Sequence, residues 1–454
     1  MPREQESERK KNKQVSKGAE AEGHLPLRLE KLQQDTFRYF VEEANPITGL
    51  IADNTRQVSP ASITAVGLGL ACYTVGAENG WITRADAVQR TLTILRFFWH
   101  SQQSPAPDAT GYRGFYYHFL DMQSGQRVWQ CELSTIDTTF LIAGMLAAAA
   151  YFDANTAAER EIRHLADALY RRVDWQWTLN GGPTVSHGWR PESGFLPYRW
   201  QGYSEAILLY TLGLGSPTYP LSPQSYQAFL QTYHWQEHYG YEYVHAAPLF
   251  IHQLSHVWID FRGIQDAYMR EKGIDYFENS RRATYVQRAY AIDNPKGFAG
   301  YGQDSWGITA SDGPGPATCR VGGVEREFYD YLARGVLDGP DDGTLAPWAA
   351  AASLPFAPEI VLPALEHFNT VYPQITSKYG FKCSFNPTYR CNPDAGQGWI
   401  SSGYYGLDQG PIVLMIENER SGFFWRLMRR CPYLVTGLRR AGFSGGWLLS
   451  SPYC

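Results

Sequence analysis

TTFLIAGMLAAAAYF (Thr138–Phe152) and TAAEREIRHLADALYRRVDW (Thr156–Trp175) follow one another and read as two different kinds of helix. The first is apolar all round, so it belongs inside the protein. The second has a charged face and an apolar stripe, the pattern of a helix with one side in water. GPIVLMI (Gly410–Ile416) repeats the first kind. Alternation of the two kinds fits two concentric helical layers. Periodicity predicts helices over about 35–43, 62–76, 83–99, 135–151, 156–174, 204–214, 223–233, 246–272, 276–293, 357–372, 408–420 and 422–439. These make six consecutive pairs, as a toroid of six helix pairs would require. Thr83, Ser134 and Ser222 stand where helix starts need capping residues. Tyr112–Phe119 (YRGFYYHF) is the best candidate for a short hairpin arm.

Between the helices run long loops rich in Gly, Pro and aromatics, over about 100–133, 175–203, 294–356 and 380–407; loops of that length in a compact domain are usually functional. They carry GYRGFYYHFLD, GWRPESGFLPYRWQGYSE, GYGQDSWGITASDGPG and WISSGYYGLDQGP. No linker divides the chain, so one domain over 31–450 is expected.

The chain has 454 residues, 44% hydrophobic and 19% charged, enough for a sizeable core. A net charge of −5 argues against a nucleic-acid partner, which would need a basic patch. Aromatic residues make up 15%, with 14 Trp and 30 Tyr, which favours a carbohydrate partner because sugar C–H faces stack on rings; an aromatic-rich core is the other source of such a bias. Residues 1–30 are expected to be a disordered, charged tail. The first 25 lack an apolar stretch, so they do not read as a signal peptide, and a cytoplasmic protein is expected from the sequence as given. A misassigned start would instead allow a periplasmic or secreted one. The longest apolar run, Phe140–Phe152, is too short to insert in a bilayer.

Seven cysteines include no CxxC and no Cys/His cluster with zinc spacing. Reduced, buried thiols are the simpler expectation; a disulfide between Cys383 and Cys391, which flank a polar loop, is the alternative. No acyl-hydrolase, nucleotide-binding or zinc-protease motif occurs.

Two carboxylates stand out. Glu205, in RWQGYSEAILLY, and Asp408, in YYGLDQGPIVLMIEN, each follow an aromatic loop and open an apolar helix. An acid at a helix start is also simply a capping acid. Set against apolar walls, though, a carboxyl has its pKa raised, which suits a general acid. Glycoside hydrolysis uses one such acid and one carboxylate that activates water or attacks the sugar. Glu132 and Asp137 (CELSTIDTTFL) form a second acidic pair. His245, His252 and His256 recur at spacings that put them on one face of the predicted 246–272 helix, as cleft-lining or core histidines rather than metal ligands. Trp258, Asp260 and Arg262 continue that stripe. Trp306, Asp304 and Asp312 share a Gly/Pro loop suited to stacking and hydroxyl recognition.

From Asp35 almost to Trp447 the chain resembles the glycoamylase-like family, which includes bacterial endo-β-1,2-glucanases (glycoside hydrolase family 144). Segments that carry the resemblance include DTFRYFVEEANPITGL, ELSTIDTTFLIAG, PESGFLPYRWQGYSEAILLYTLGLGSPTYP, FIHQLSHVWIDFRGIQDAYMREKGIDYFENSRRAT and LDQGPIVLMIENERSGFFWRLMRR. It implies an (α/α)6 toroid and inverting, metal-free and cofactor-free hydrolysis of β-1,2-glucan to short oligosaccharides. The acid would be the Glu of YxEA, here Glu205, and the base the Asp of DQGP, here Asp408. On this reading Trp200, Tyr203, Trp306 and Tyr404 stack sugars, and Glu132, Asp137, His252, His256, Arg262 and Asp312 bind hydroxyls. The cysteines at 319, 383 and 391 depart from the family pattern. A retaining transglycosylase, a lyase and a noncatalytic glucan-binding protein stay open as alternatives, as does the oligomeric state.

Overall fold

A computed structural model describes residues 25–391 and 398–451. The chain is mostly helical, and one hydrophobic cluster runs from Phe37 to Leu448. Helix Ile63–Glu78 is buried from Ile63 to Gly76, and helices Thr135–Tyr151 and Ala206–Gly215 are buried along nearly all or all of their length. Arg84–His100 and Ala157–Arg172 bury one stripe each. The two kinds of helix in the sequence therefore occupy the environments their patterns demand.

Helix starts follow local chemistry. Ser62, Thr83, Ser134 and Thr156 each accept a hydrogen bond from the N–H three residues on, satisfying a donor the helix leaves free. Ser222 holds the cap position of Pro223–Leu230 but its hydroxyl makes no capping bond; it faces Ser225 instead.

Glycine sets the closest packing. A Cβ on Gly144 would sit 2.1 Å from the carbonyl oxygen of Gly67, and one on Gly67 would sit 2.3 Å from that of Phe140. Helices Ile63–Glu78 and Thr135–Tyr151 thus meet backbone to backbone. The other flank of Ile63–Glu78 receives Gly406 and Gly410 of helix Gly406–Arg420, where added Cβ atoms would fall 2.5 Å from Ala65 and 2.7 Å from Leu68.

Several predicted elements differ. The 246–272 helix is a 3-10 turn (Leu249–His252), a short helix (Leu254–Trp258), an extended stretch at Ile259 and a separate helix Ala267–Lys272. Asp260 accepts from the backbone N–H and guanidinium of Arg262, and Gly263 takes positive φ, so the helical path stops there. The 422–439 helix divides into Phe423–Met428 and Pro432–Arg440, because Pro432 keeps Cys431 out of the helical region. Pro347–Ala352 is a helix within a predicted loop. The first helix already begins at Leu25; residues 1–24 of the expected tail lie outside the described residues.

The long loops are tied down by short antiparallel pairings. The largest sheet runs Gly111–Tyr112, Phe115–Tyr117, Leu133–Ser134, Gly188–Arg190, Gly194–Phe195. Its first hairpin is the predicted arm, turning at Arg113 and Gly114, both at positive φ as the tightest hairpins require. No described helix is long and apolar enough to cross a membrane.

The glycine crossing leaves no room for a side chain. Gly144→Val is expected to cost at least about 2–3 kcal/mol in urea unfolding, an overpacking penalty. The exposed control Gln89→Ala should stay within about 0.5 kcal/mol.

Candidate active site

Three of the four long loops, and the helix start that follows the other, line a cavity of about 420 Å³. His118, Phe119 and Trp129 come from the first loop, Ala310, Tyr331 and Trp348 from the third, Tyr405 and Leu407 from the fourth, and Glu205 stands just after the second. Asp53 and Asn54 close the ring from a segment not read as a loop in the sequence. That segment is stitched to the fourth loop: Gly406 N–H donates to the Asp53 carbonyl at 2.8 Å, and Asn54 bridges to Tyr405. Among the predicted site residues, Glu205 and Asp137 line the cavity.

Glu205 directly precedes helix Ala206–Gly215 and is 8% exposed. Ser255 Oγ donates to its carbonyl at 2.8 Å and fixes the turn. Phe140, Phe250, Leu254 and Trp348 share the cavity wall with the carboxyl. Burial raises its pKa to about 7; its own backbone N–H opposes the shift, and the negative charge of Asp137 adds to it. A carboxylic acid still protonated near neutrality is suited to protonating a leaving oxygen.

His118 and Asp137, on the same cavity wall, belong to a charged cluster. His118 Nδ1 is 3.0 Å from Glu132, and Nε2 is 3.6 Å from Asp137. Thr64 Oγ1 donates to Asp137 at 2.5 Å, and Ser134 Oγ donates to its other oxygen. Burial alone would lower the His118 pKa, but Asp137, Glu132 and Asp53 outweigh it and raise it to about 9. His118 is therefore an imidazolium at neutral pH. These three side chains place donor atoms within 4.8 Å of one another, the spacing of a metal site. A ring protonated on both nitrogens cannot ligate, so a cation would have to displace that proton.

Asp408 lies one layer behind the wall, in the first turn of Gly406–Arg420, 1% exposed. Burial raises its pKa well above the carboxylate range; the Cys383 thiol opposes that by hydrogen bonding, and Asp53 and Asp312 add to it. Its Oδ2 has no hydrogen-bond partner. Asp312 is buried beside it, paired with Arg56 and Ser401. Cys72, Cys131, Cys383 and Cys431 are free and buried, the simpler expectation for the cysteines, while the alternative pairing of Cys383 with Cys391 is corrected. Cys391 is bonded to Cys319, on strand Ala317–Val321, and Cys383 is a free, buried thiol. Cys383 Sγ accepts from Asp312 N–H at 3.4 Å, so it points inward, away from Cys391.

The other predicted site residues sit elsewhere. Trp200 is buried, donating to Thr135 Oγ1 at 3.0 Å and stacked on His187. Tyr203 packs on Tyr233, His252 and Tyr276. Trp306 is fully buried, and Tyr404 is buried against Tyr379. None of these four presents a face to the cavity; the core consumes them. His252 is buried, bonded to the Ala246 carbonyl, and its pKa is lowered to about 3 by burial. His256 is buried against Ser280. With His245 these do not share a helix face, because the helix is interrupted. Arg262 forks onto Asp260 and lies over Trp425, away from the cavity. Glu132 stands behind His118. Sequence reasoning missed Asp53, His118, Trp129 and Tyr331. The sequence signal for His118 and Trp129 was their place in the long 100–133 loop.

The architecture and this acid-lined cavity can be set beside known proteins. The model of the Glycoamylase family, described as "Putative glucoamylase", matches residues 197–432, and the chain belongs to that family. Its structure is similar to that of a Bacteroides uniformis protein of the same description, at 31% identity and a TM-score of 0.81 over 92% of this chain and 97% of that one. It is also similar to an endo-β-1,2-glucanase from Chitinophaga pinensis, at 27% identity and a TM-score of 0.79 over 95% and 99%. A curated relative, an exo β-1,2-glucooligosaccharide sophorohydrolase (non-reducing end) from Parabacteroides distasonis, is 28% identical over 450 residues. The match takes in 91% of this chain but 57% of that relative's length.

The His118 cluster links stability to pH. Its pKa rises from 6.5 to about 9 on folding, so its contribution is complete below pH 6.5 and is lost as pH rises through about 9. The melting-temperature advantage of wild type over His118→Asn should be largest near pH 6 and shrink above pH 9. An advantage that grows with pH would contradict the assignment.

Proposed function

We propose that the chain is an inverting endo-β-1,2-glucanase, with residues 31–450 forming one (α/α)6 toroidal catalytic domain of six helix pairs in two concentric layers. The substrate reading is supported by relatives that act on β-1,2-linked glucose. The observation that carries the catalytic reading is Glu205, a carboxylic acid with a pKa of about 7 in a cavity that also holds Asp53, Asp137 and an imidazolium. Glu205 protonates the leaving glycosidic oxygen. Asp408, in its ionised form, takes the proton from the attacking water; the burial that raises its pKa makes it the stronger base once ionised. Asp408 does not line the cavity, so it acts through a chain of water, its unpartnered Oδ2 receiving the proton. A direct role for Asp137 as base is a second reading, favoured by one observation: it shares the cavity with Glu205.

The test is reducing-end release from linear β-1,2-glucan, with the product anomer followed by NMR. Wild type should release short oligosaccharides of inverted configuration. Glu205→Gln should lose about 10²–10⁴-fold in kcat, the contribution typical of a general acid. Activity should fall as pH rises through about 7, where Glu205 loses its proton. Loss in Asp408→Asn with activity retained in Asp137→Asn supports Asp408 as base, and the reverse supports Asp137. No release by wild type would overturn the proposal, and retained configuration would replace hydrolysis with inversion by a transglycosylase-type mechanism.

A further inference from the structure

Trp129 is 67% exposed, although an indole is among the side chains that gain most from burial. It shares the cavity with Glu205 and Asp137. Inward from it the rings form a ladder. Trp129 packs on Phe119 at 5.1 Å between centroids, and Phe119 lies nearly flat on His118 at 3.9 Å. His118 in turn reaches Asp137 at 3.6 Å.

The backbone under this ring is held in an unfavourable state. Trp129 and the following Gln130 have φ of 55° and 48°, both in the left-handed region that bulky residues avoid. A glycine or asparagine would close this turn at less cost. Such strain persists only where the surroundings impose it. Here Arg127, with its side chain 2% exposed, imposes it. Its Nε donates to the Cys131 carbonyl at 2.6 Å and its Nη2 to the Gln130 carbonyl at 2.8 Å. Glu192 receives the outer edge of the guanidinium at 2.7 and 3.1 Å, and the Tyr117 ring lies beneath it at 4.7 Å. The turn is thus gripped from below while the indole stays in water.

We propose that Trp129 is a sugar-stacking platform at the cavity mouth, held outward by the Arg127–Glu192 clamp, that binds a glucosyl unit beyond those next to the cleaved bond. An exposed indole offers a flat apolar face, and the C–H face of a glucose ring with equatorial hydroxyls is its complement. A unit bound there is present only in longer chains, so Trp129 makes the protein discriminate by chain length. This rests on the proposed β-1,2-glucan substrate.

Two measurements separate this inference from the reading beneath it. Steady-state kinetics compare wild type, Trp129→Ala and Trp129→Phe on β-1,2-glucooligosaccharides of increasing length and on polymer. Calorimetry compares binding of the same sugars to Glu205→Gln with and without Trp129→Ala. The Trp129→Ala penalty should grow with chain length, reach at least about ten-fold on polymer and fall on KM rather than kcat; a stacked aromatic anchor is worth this much. Trp129→Phe should recover most of it. The binding constant of the Glu205→Gln protein for long oligosaccharides should weaken by a similar factor. Equal behaviour of wild type and Trp129→Ala at every length, with glucan still bound by Glu205→Gln, would overturn the platform alone. A uniform loss at all lengths with a lowered melting temperature would also overturn it, in favour of a structural role. Failure of wild type to cleave and of Glu205→Gln to bind any β-1,2-glucan would overturn both readings.

Discussion

The backbone contact of Gly67 with Gly144, with Gly406 and Gly410 pressed on the other flank of the same helix, is the constraint on which the site depends. It fixes Ile63–Glu78 between two neighbours, backbone to backbone on one flank and with glycine against Ala65 and Leu68 on the other. The helix starts then fall at one end of the core. Ser62 and Thr64, Asp137, Glu205 and Leu407 all stand at helix starts and all line one cavity. Thr64 and Asp137 meet at 2.5 Å because of that crossing. A residue large enough to separate the helices would pull this bond apart before it reached the catalytic groups.

Helix starts favour negative charge by about 0.3–1 kcal/mol each, up to about 2 in partly buried sites. Burial competes with that, and the outcome differs by position. Glu205 moves up to about 7, a shift worth roughly 3 kcal/mol, so desolvation wins there. Glu132 is held below the usual range despite its burial, because the His118 imidazolium is bonded to it. Glu205 pushed up and Glu132 held down within one site are the kind of split that acid–base chemistry uses.

Much of this was legible in the chain. The cap at Ser134, the apolar helix after it and the acid at its third position are local features, and the structure reproduces them. Glu205 was visible because an acid opening an apolar helix is unusual. Its walls were not those expected. Trp200 and Tyr203 are neighbours in sequence but turn into the core, while Phe140, Phe250 and Trp348 arrive from remote segments. The histidine stripe failed for a related reason: an assumed 3.6-residue period carries no information where Leu249–His252 is a 3-10 turn and the helical path breaks at Gln253 before Leu254–Trp258.

The sequence by itself determined which helices are buried and which are wet, where most of them start, and that acids stand at two of those starts. These are set by neighbours within a turn or two, through capping bonds and apolar periodicity. Only the tertiary structure decided which aromatic rings face the cavity, which cysteine meets Cys391, and that His118 bridges Glu132 and Asp137. Each of those depends on segments tens to hundreds of residues apart. Their meeting is fixed by how the helices and loops pack on one another, which no local pattern encodes.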